Sequence, residues 1–259
     1  MGMRTGLSGI LDKGNGDGYR AVYRGSDIDE LIRTSSFGAV VFHHCVGRFP
    51  TPGELRVIDA ILIAGLDHTF MSAWPARIVI SRSPESFQGA VAAGLLSIGT
   101  RRGAAASDVA QLLQAAVAEA PGADAETIAT SLVQRYRKDK RRIPGIGNPL
   151  HKVTDPRADG VFDVATEAGV AGIHVEVLRR TAALTSEATG RPLVINYSGS
   201  VGATVSDMGW DWRIANGLVL LARTGGLIAN IFEEMTKPTY EAFASEVAGH
   251  GEALYEGER

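Results

Sequence analysis

Cysteine is almost absent from the 259-residue chain. The one cysteine, Cys45, excludes an intrachain disulfide framework and any cysteine-rich zinc site. Aromatic residues are few, at 3 Trp, 6 Tyr and 8 Phe. No excess of either charge is present: 26 Lys and Arg face 29 Asp and Glu, a net charge of −3. No bulk field therefore draws the chain to nucleic acid or to an acidic membrane surface. Long hydrophobic runs are missing as well; stretches such as residues 217–222 fall far short of the roughly 20 apolar residues of a membrane span. The first residues hold Arg4, Asp12 and Lys13 around a brief apolar patch, with no secretory core. These absences lead to the expectation of a soluble, cytoplasmic globular protein.

What the chain has in quantity is small residues. Its 31 Gly and 35 Ala make up about a quarter of the length. With few large side chains to fill gaps, such a core has to bring backbones close together.

The first twenty residues, with Gly14, Gly16 and Gly18 in succession, read as turn or loop. Helix-like segments follow with little sign of strands. Residues 27–34 come after an N-capping Ser26, and residues 36–47 end on a glycine. Thr51-Pro52-Gly53-Glu54 starts a helix that carries Leu55, Ile58, Leu62 and Leu66 at helical spacing. Further helical segments are expected at 83–95, 107–120, 125–136, 160–169 and 173–190. A short strand is expected at 191–197, then small-residue helices at 200–208, 211–224 and 227–235. The fold class is all-α with long loops. No G-x-G-x-x-G follows a strand and no G-x-x-x-x-G-K-[ST] occurs, so neither a nucleotide cofactor nor a metal is expected.

Residues 143–157 hold too many prolines and glycines for a regular element. Within this loop lie Gly145, Gly147, Asn148, His151, Lys152 and Arg157, preceded by a basic run that ends in Arg141 and Arg142. Glycine-flanked amides beside cations suit a phosphate or carboxylate; an ordinary solvated loop is the competing reading. His43-His44-Cys45 invites a metal or nucleophile interpretation, against which stands an apolar helix.

Several motifs, in order, carry a family resemblance. They are Tyr23-Arg24-Gly25 with Ile28 and Leu31, Ser36-Phe37 through Gly47-Arg48-Phe49-Pro50-Thr51, and Leu66-Asp67-His68. Then come residues 145–157, Ser206-Asp207-Met208-Gly209, and Ala222-Arg223-Thr224-Gly225-Gly226-Leu227. The chain resembles the citrate synthase superfamily, and its short members of citryl-CoA lyase type in particular. The resemblance implies an all-α homodimer. Residues 1–105 and 193–259 would form a large helical domain, and residues 106–192 a small one closing over the cleft. It implies chemistry in which a carbon–carbon bond between an acyl-CoA and a keto acid is made or broken. A coenzyme A thioester would be the substrate, with no resident cofactor.

Position by position, His68, Arg157 and Arg223 fall where the family binds the carboxylates of the keto acid. Lys237 stands where an arginine of the second subunit is expected, keeping charge but losing the planar fork. Arg141, Arg142, Gly145 and Gly147 fall where coenzyme A is held. The acid–base positions depart from the pattern. Arg102 replaces the enolising His, Asn148 replaces the His of the loop, Ser198 (or Ile195, if the short piece is shifted) stands at the catalytic Asp, and Asn230 replaces a later His. Asp207 falls in the family's helix-start pattern, which implies a capping or structural role. Asn, Arg and Ser do not exchange protons near neutral pH as His and Asp do. Arg102 and Asn148 could still donate hydrogen bonds to a carbonyl or enolate oxygen. His151 is the nearest titratable ring in the loop, and Tyr197 and Ser198 could relay a proton. Three readings stay open: a C–C lyase or condensing enzyme with an altered acid–base set, a catalytically silent coenzyme A- and carboxylate-binding homologue, and a thioester hydrolase led by Ser198 or His151.

Overall fold

The computed structural model describes residues 5–12, 18–68, 72–99 and 103–257, with the side chains of residues 12 and 250–257 left aside. Of the expected site residues, Arg102 lies outside the described residues.

The chain starts with a small antiparallel sheet where only loop was expected. Strand β1 (Ser8–Asp12) pairs with β2 (Tyr19–Tyr23), which pairs with β3 (Ser26–Asp27). The turn between β2 and β3 puts Arg24 at φ 46° and Gly25 at φ 88°. Two consecutive left-handed residues match the right-handed strand twist, the backbone form of a two-residue hairpin. Of the glycines that signalled a loop, Gly14 and Gly16 lie outside the described residues; Gly25 is the turn of a hairpin.

Helices follow: α1 (Ile28–Thr34), α2 (Phe37–Val46), α3 (Pro52–Gly65), α4 (Ala73–Arg82), α5 (Phe87–Leu96) and α6 (Ala106–Glu119). After them come α7 (Ala125–Lys138), α8 (Pro156–Glu167), α9 (Ile173–Thr189), α10 (Tyr197–Asp207), α11 (Ala215–Thr236) and α12 (Tyr240–Gly257). Helix α3 begins with a complete capping box: Thr51 and Glu54 each accept from the other's backbone amide. Helix α8 begins four residues before its expected start. Pro156 takes its first position and Asp155 caps it, so the end of the breaker-rich loop is a helix start. The expected strand at 191–197 is reduced to one bridge between Ile146 and Ile195. Helices α4 and α12 were not foreseen.

The expected break between 224 and 227 does not occur; α11 runs unbroken through Gly225-Gly226. A Cβ at Gly226 would overlap the Leu66 carbonyl oxygen, and one at Gly225 would lie 2.9 Å from the Leu66 side chain. These glycines let α11 pass against the end of α3, and do not mark a turn. Together with the preceding 3₁₀ turn, Trp212–Thr236 is long and apolar enough to cross a membrane, contrary to the expectation from short apolar runs. Its Leu218, Val219, Ala222, Leu227 and Ile231 are buried, as are Arg223 and Glu234, the pattern of a core helix.

At the centre lies α10, buried from Tyr197 through Ser206. Three of its hydroxyls donate within their own helix: Ser200 to the Tyr197 carbonyl, Thr204 to Ser200, Ser206 to Gly202. At Gly202 a Cβ would stand 2.7 Å from the Ala106 carbonyl oxygen and 2.6 Å from the Val109 Cβ, so α6 rests directly on the α10 backbone. Three apolar clusters form, the first two around this axis. One joins α2, α3, α6, α8, α10 and α11; a second joins α6, α7, α8, α9 and α10; a third joins α4, α5 and α11. Helix α6 contributes Ala106 and Ala110 to the first and Val109 and Leu113 to the second.

Candidate active site

The end of α3, the loop before α8, the start of α10 and the middle of α11 converge on four side chains. His68 follows α3, and its Nε2 lies 3.2 Å from Nε2 of His151 in the loop, with ring centroids 5.1 Å apart. A bond between two such nitrogens requires one to donate and the other to accept. Burial, reinforced by Arg157 and His151 with Arg223 beyond them, holds the His68 pKa below its ordinary value; Asp155 acts in the opposite sense. These surroundings favour the neutral ring of His68 over its cation.

Asn148 sets the position of His151. Its Oδ1 accepts from the amides of Leu150 at 2.9 Å and His151 at 3.3 Å, an Asx turn. Its Nδ2 donates to Asp155 Oδ2 at 3.0 Å. Asp155 is wholly buried and is the hub of this side of the site. Arg157 meets it with two nitrogens, Nε to Oδ1 at 3.0 Å and Nη2 to Oδ2 at 2.7 Å. The Tyr197 amide at the head of α10 adds a bond of 3.3 Å. Burial alone would raise the Asp155 pKa, but the Arg157 guanidinium outweighs it and holds the carboxyl below its usual range.

Arg223, buried on α11, donates Nη1 to Asp67 Oδ1 at 3.0 Å. Asp67 Oδ2 accepts from Asn230 at 3.0 Å, and Oδ1 also accepts the His68 amide at 2.8 Å. The Nε and Nη2 edge of Arg223 has no partner among the described residues. Such an edge matches a carboxylate bidentately. Arg157, by contrast, has its Nε edge spent on Asp155 and keeps only the Nη1 hydrogens and one on Nη2. Its guanidinium lies 5.4 Å from the centre of the Tyr197 ring. The Tyr197 hydroxyl donates to the Ile61 carbonyl at 2.9 Å, and burial drives its pKa well upward. Tyr197 is thus a structural donor and no proton relay.

The remaining expected residues sit apart from these four. Ser198 is buried in the first turn of α10, and no base lies within hydrogen-bonding distance of its Oγ among the described residues. Gly145 and Gly147 have φ values of 81° and 93°. A Cβ on Gly145 would stand 2.9 Å from the Gly199 Cα. Gly145 O accepts from Asn196 N, Gly147 N donates to Val194 O at 2.7 Å, and Gly147 O accepts from Asn196 Nδ2. The Gly147 amide is therefore spent on the fold and not open to a phosphate. Arg141 covers the Tyr136 ring at 5.4 Å, and Arg142 is exposed. Lys237 is an exposed C-cap of α11 whose amide donates to Glu233. A groove of about 600 Å³ opens beside Asp155, bordered by Val153, Phe162, Arg179, Leu193 and Ile195.

His43 stacks on Phe49 with centroids 4.3 Å apart, and His44 meets the edge of Tyr23. Burial pushes the Cys45 thiol up in pKa against the pull of Arg24, the reverse of an activated nucleophile. Among the described residues, no group of three or more His, Cys, Asp and Glu is placed to hold a metal. Asp207 caps α9, accepting from the amides of Gly172, His174 and Val175, the structural role expected of it. Sequence reasoning passed over Asp67, Arg77 and Asp155. Asp67 and Asp155 were visible as neighbours of His68 and Arg157, whereas Arg77 had no local signal.

The family described as citrate synthase, C-terminal domain, matches residues 40–241. None of the curated proteins matches the sequence significantly. Among solved structures, citryl-CoA lyase from Hydrogenobacter thermophilus is 31% identical with a TM-score of 0.79, over 91% of this chain and 88% of that one. ATP citrate lyase from Methanothrix soehngenii, solved with citrate and coenzyme A, is 22% identical with a TM-score of 0.74, over 90% of this chain and 39% of that one. Citrate synthase from Thermoplasma acidophilum, solved with carboxymethyl coenzyme A and oxaloacetate, is 20% identical with a TM-score of 0.62, over 78% and 54%. The last two likenesses concern the fold alone. The family match and the citryl-CoA lyase likeness agree with the motifs, and the chain belongs to the citrate synthase superfamily as an all-α, lyase- or synthase-like member of the citryl-CoA lyase type.

Proposed function

We propose that this protein cleaves or forms the carbon–carbon bond of a citryl-CoA-type thioester, with the His68–His151 pair as its proton carrier. The observation that carries this reading is the 3.2 Å contact between the two Nε2 atoms, flanked by Arg157 and Arg223. In cleavage, the tertiary hydroxyl gives its proton to the neutral ring of His68. The C–C bond then breaks, its electron pair passes to the thioester α-carbon as an enolate, and a carbonyl forms on the keto acid. The proton returns to the α-carbon to give acetyl-CoA beside oxaloacetate. Arg223 takes one carboxylate on its free edge and Arg157 contacts another through Nη1. Asn148 holds the loop that carries His151 and keeps one amide hydrogen for the substrate oxygen. Coenzyme A in the groove beside Asp155, with Arg141 and Arg142 near its phosphates, completes the reading. So do closure of residues 106–192 over the cleft and a homodimer that brings Lys237 from the second subunit. The exposed Ile63, Leu96 and Phe232 favour such a dimer, since apolar side chains of this size gain by being covered.

The test is a coupled assay for oxaloacetate released from citryl-CoA, run beside the condensation direction. Wild-type protein is expected to turn over, and His151→Asn to lose about 10²- to 10⁴-fold in kcat, the range of one acid–base group. Absence of turnover in both directions between pH 6 and 9 would overturn the catalytic reading. The silent binding protein is then the better account, and it has support in the engagement of both polar ends of Asn148. A hydrolase led by Ser198 loses its footing because Ser198 has no adjacent base among the described residues; one led by His151 would show as coenzyme A release without oxaloacetate in the same assay.

A further inference from the structure

Arg77 on α4 is held in a cage of acceptors. Its Nη1 donates to Glu234 at 3.0 Å and to Thr239 at 3.3 Å, and its Nη2 to Glu233. Glu234 is buried and also accepts from Ser81, from the Thr239 hydroxyl and from the amides of Thr239 and Tyr240. So many bonds make Arg77 a fixed reference point. Asn230 Oδ1 faces it, accepting from Nε at 3.2 Å and from Nη2 at 2.8 Å. The amide orientation is thereby decided. Its Nδ2 points the other way, to Asp67 Oδ2 at 3.0 Å and the Gly226 carbonyl at 2.9 Å.

Asn230 and Arg223 are seven residues apart on α11, two turns along one face. From that face they grip the two oxygens of Asp67, Asn230 on Oδ2 and Arg223 on Oδ1. The Asp67 side chain is 52% exposed; without Asn230 its other partners, Arg223 and the His68 amide, would hold Oδ1 alone, and Oδ2 would be free to swing into solvent. The second bond stops that motion and so pins Nη1 of Arg223, leaving the Nε and Nη2 edge presented. We infer that Asn230 is a positioning residue for the carboxylate clamp: it converts the buried cation Arg77 into a hydrogen-bond donor for Asp67, which in turn sets Arg223. A side chain here must accept from a guanidinium and donate to a carboxylate at once. Asn does this, a neutral His can do it, and Asp cannot. Asn230 thus acts by holding Asp67 in place and carries no proton itself.

This inference rests on the carboxylate-clamp part of the proposed function, and two readouts separate them. The first is citrate binding by calorimetry to full-length wild type, Asn230→Asp and Asn230→His, each checked for folding by its thermal transition. Asn230→Asp is expected to bind citrate about 10- to 100-fold more weakly, as for a lost charge-assisted hydrogen bond. Asn230→His should stay within about threefold of wild type. The second readout needs no ligand: the Nε–H resonance of Arg223 in a ¹⁵N spectrum, assigned through Arg223→Lys. It should shift and broaden in Asn230→Asp and not in Asn230→His. An unchanged Arg223 resonance in folded Asn230→Asp overturns the inference, as does a His variant that behaves like the Asp variant. If wild type binds no citrate, the clamp reading fails by itself, and the Arg223 resonance still decides the role of Asn230.

Discussion

Two aspartate–arginine pairs flank the histidines, and they are built differently. On the loop side, Asp155 and Arg157 are two residues apart, the carboxylate is wholly buried, and two guanidinium nitrogens are spent on it. On the helix side, Asp67 and Arg223 are 156 residues apart, the carboxylate is half in solvent, and one nitrogen is spent. The first pair ties together the loop, the head of α8 and the head of α10, through Asn148, Arg157 and the Tyr197 amide. The second leaves a cationic edge open. A buried, fully used pair holds structure, whereas a partly used pair can bind a ligand without first breaking itself.

Removing Asp155 should produce the largest effect. Asp155→Ala strands a half-buried guanidinium and three donors, at a cost of about 3–5 kcal/mol, read as a lower urea midpoint. Asp67→Ala also unpairs a buried guanidinium, Arg223, but removes a half-exposed carboxylate whose other donors can turn to water, so it should cost less stability; equal losses would erase the distinction between the pairs. Gly226→Ala comes next, because the added methyl overlaps the Leu66 carbonyl and pushes the Leu66-Asp67-His68 segment away from α11. A loss of about 1–3 kcal/mol is expected, with weaker ligand binding on the Arg223 side and an intact loop side.

Arg223→Lys keeps charge and loses the fork, so citrate affinity should fall about tenfold or more with a modest change in stability. Arg157→Lys should show the reverse balance, and calorimetry beside denaturation separates the two. The acid limb of stability gives a smaller, graded signal. Asp155 is held below its usual range by Arg157. Glu234 is brought to about 2 because hydrogen bonds from Thr239, Tyr240 and Arg77 outweigh burial. A carboxyl whose folded pKa is depressed contributes stability in full above its unfolded value, near 4.3. That contribution drains away as pH falls through the folded value. Stability should therefore decline between about pH 4.5 and 2, and Glu234→Gln should flatten that slope. The exposed Arg56–Glu167 pair marks the small end, where Arg56→Ala should change stability by no more than about 0.5 kcal/mol.

Much of the site is legible in the amino-acid sequence. His68, His151, Arg157 and Arg223 sit in short motifs, and the fold places all four together because each motif lies at an element end or on a buried helix face. The assignments of Gly145 and Gly147 to coenzyme A read less well. Positive φ and close approach explain a glycine whether its amide faces a phosphate or, as at Gly147, another stretch of backbone. Gly225-Gly226 misled in the same manner, since a residue without Cβ signals both a turn and a contact. Asn230 looked like a loss, and Arg77 could not be found, because their partners lie more than 150 residues away in sequence.

The sequence by itself determined the helical class, the capping of α2 and α3 and the small-residue core, and it singled out four side chains that the fold brings together. Those features depend on local pattern: spacing along a helix, a cap, or a methyl that is absent. Only the tertiary structure decided what the small residues and charges are for. It put α10 at the centre, ran α11 past the end of α3, and spent one arginine on a buried carboxylate while leaving the edge of another open. Such choices turn on distances between residues far apart in the chain, and no local pattern encodes a distance.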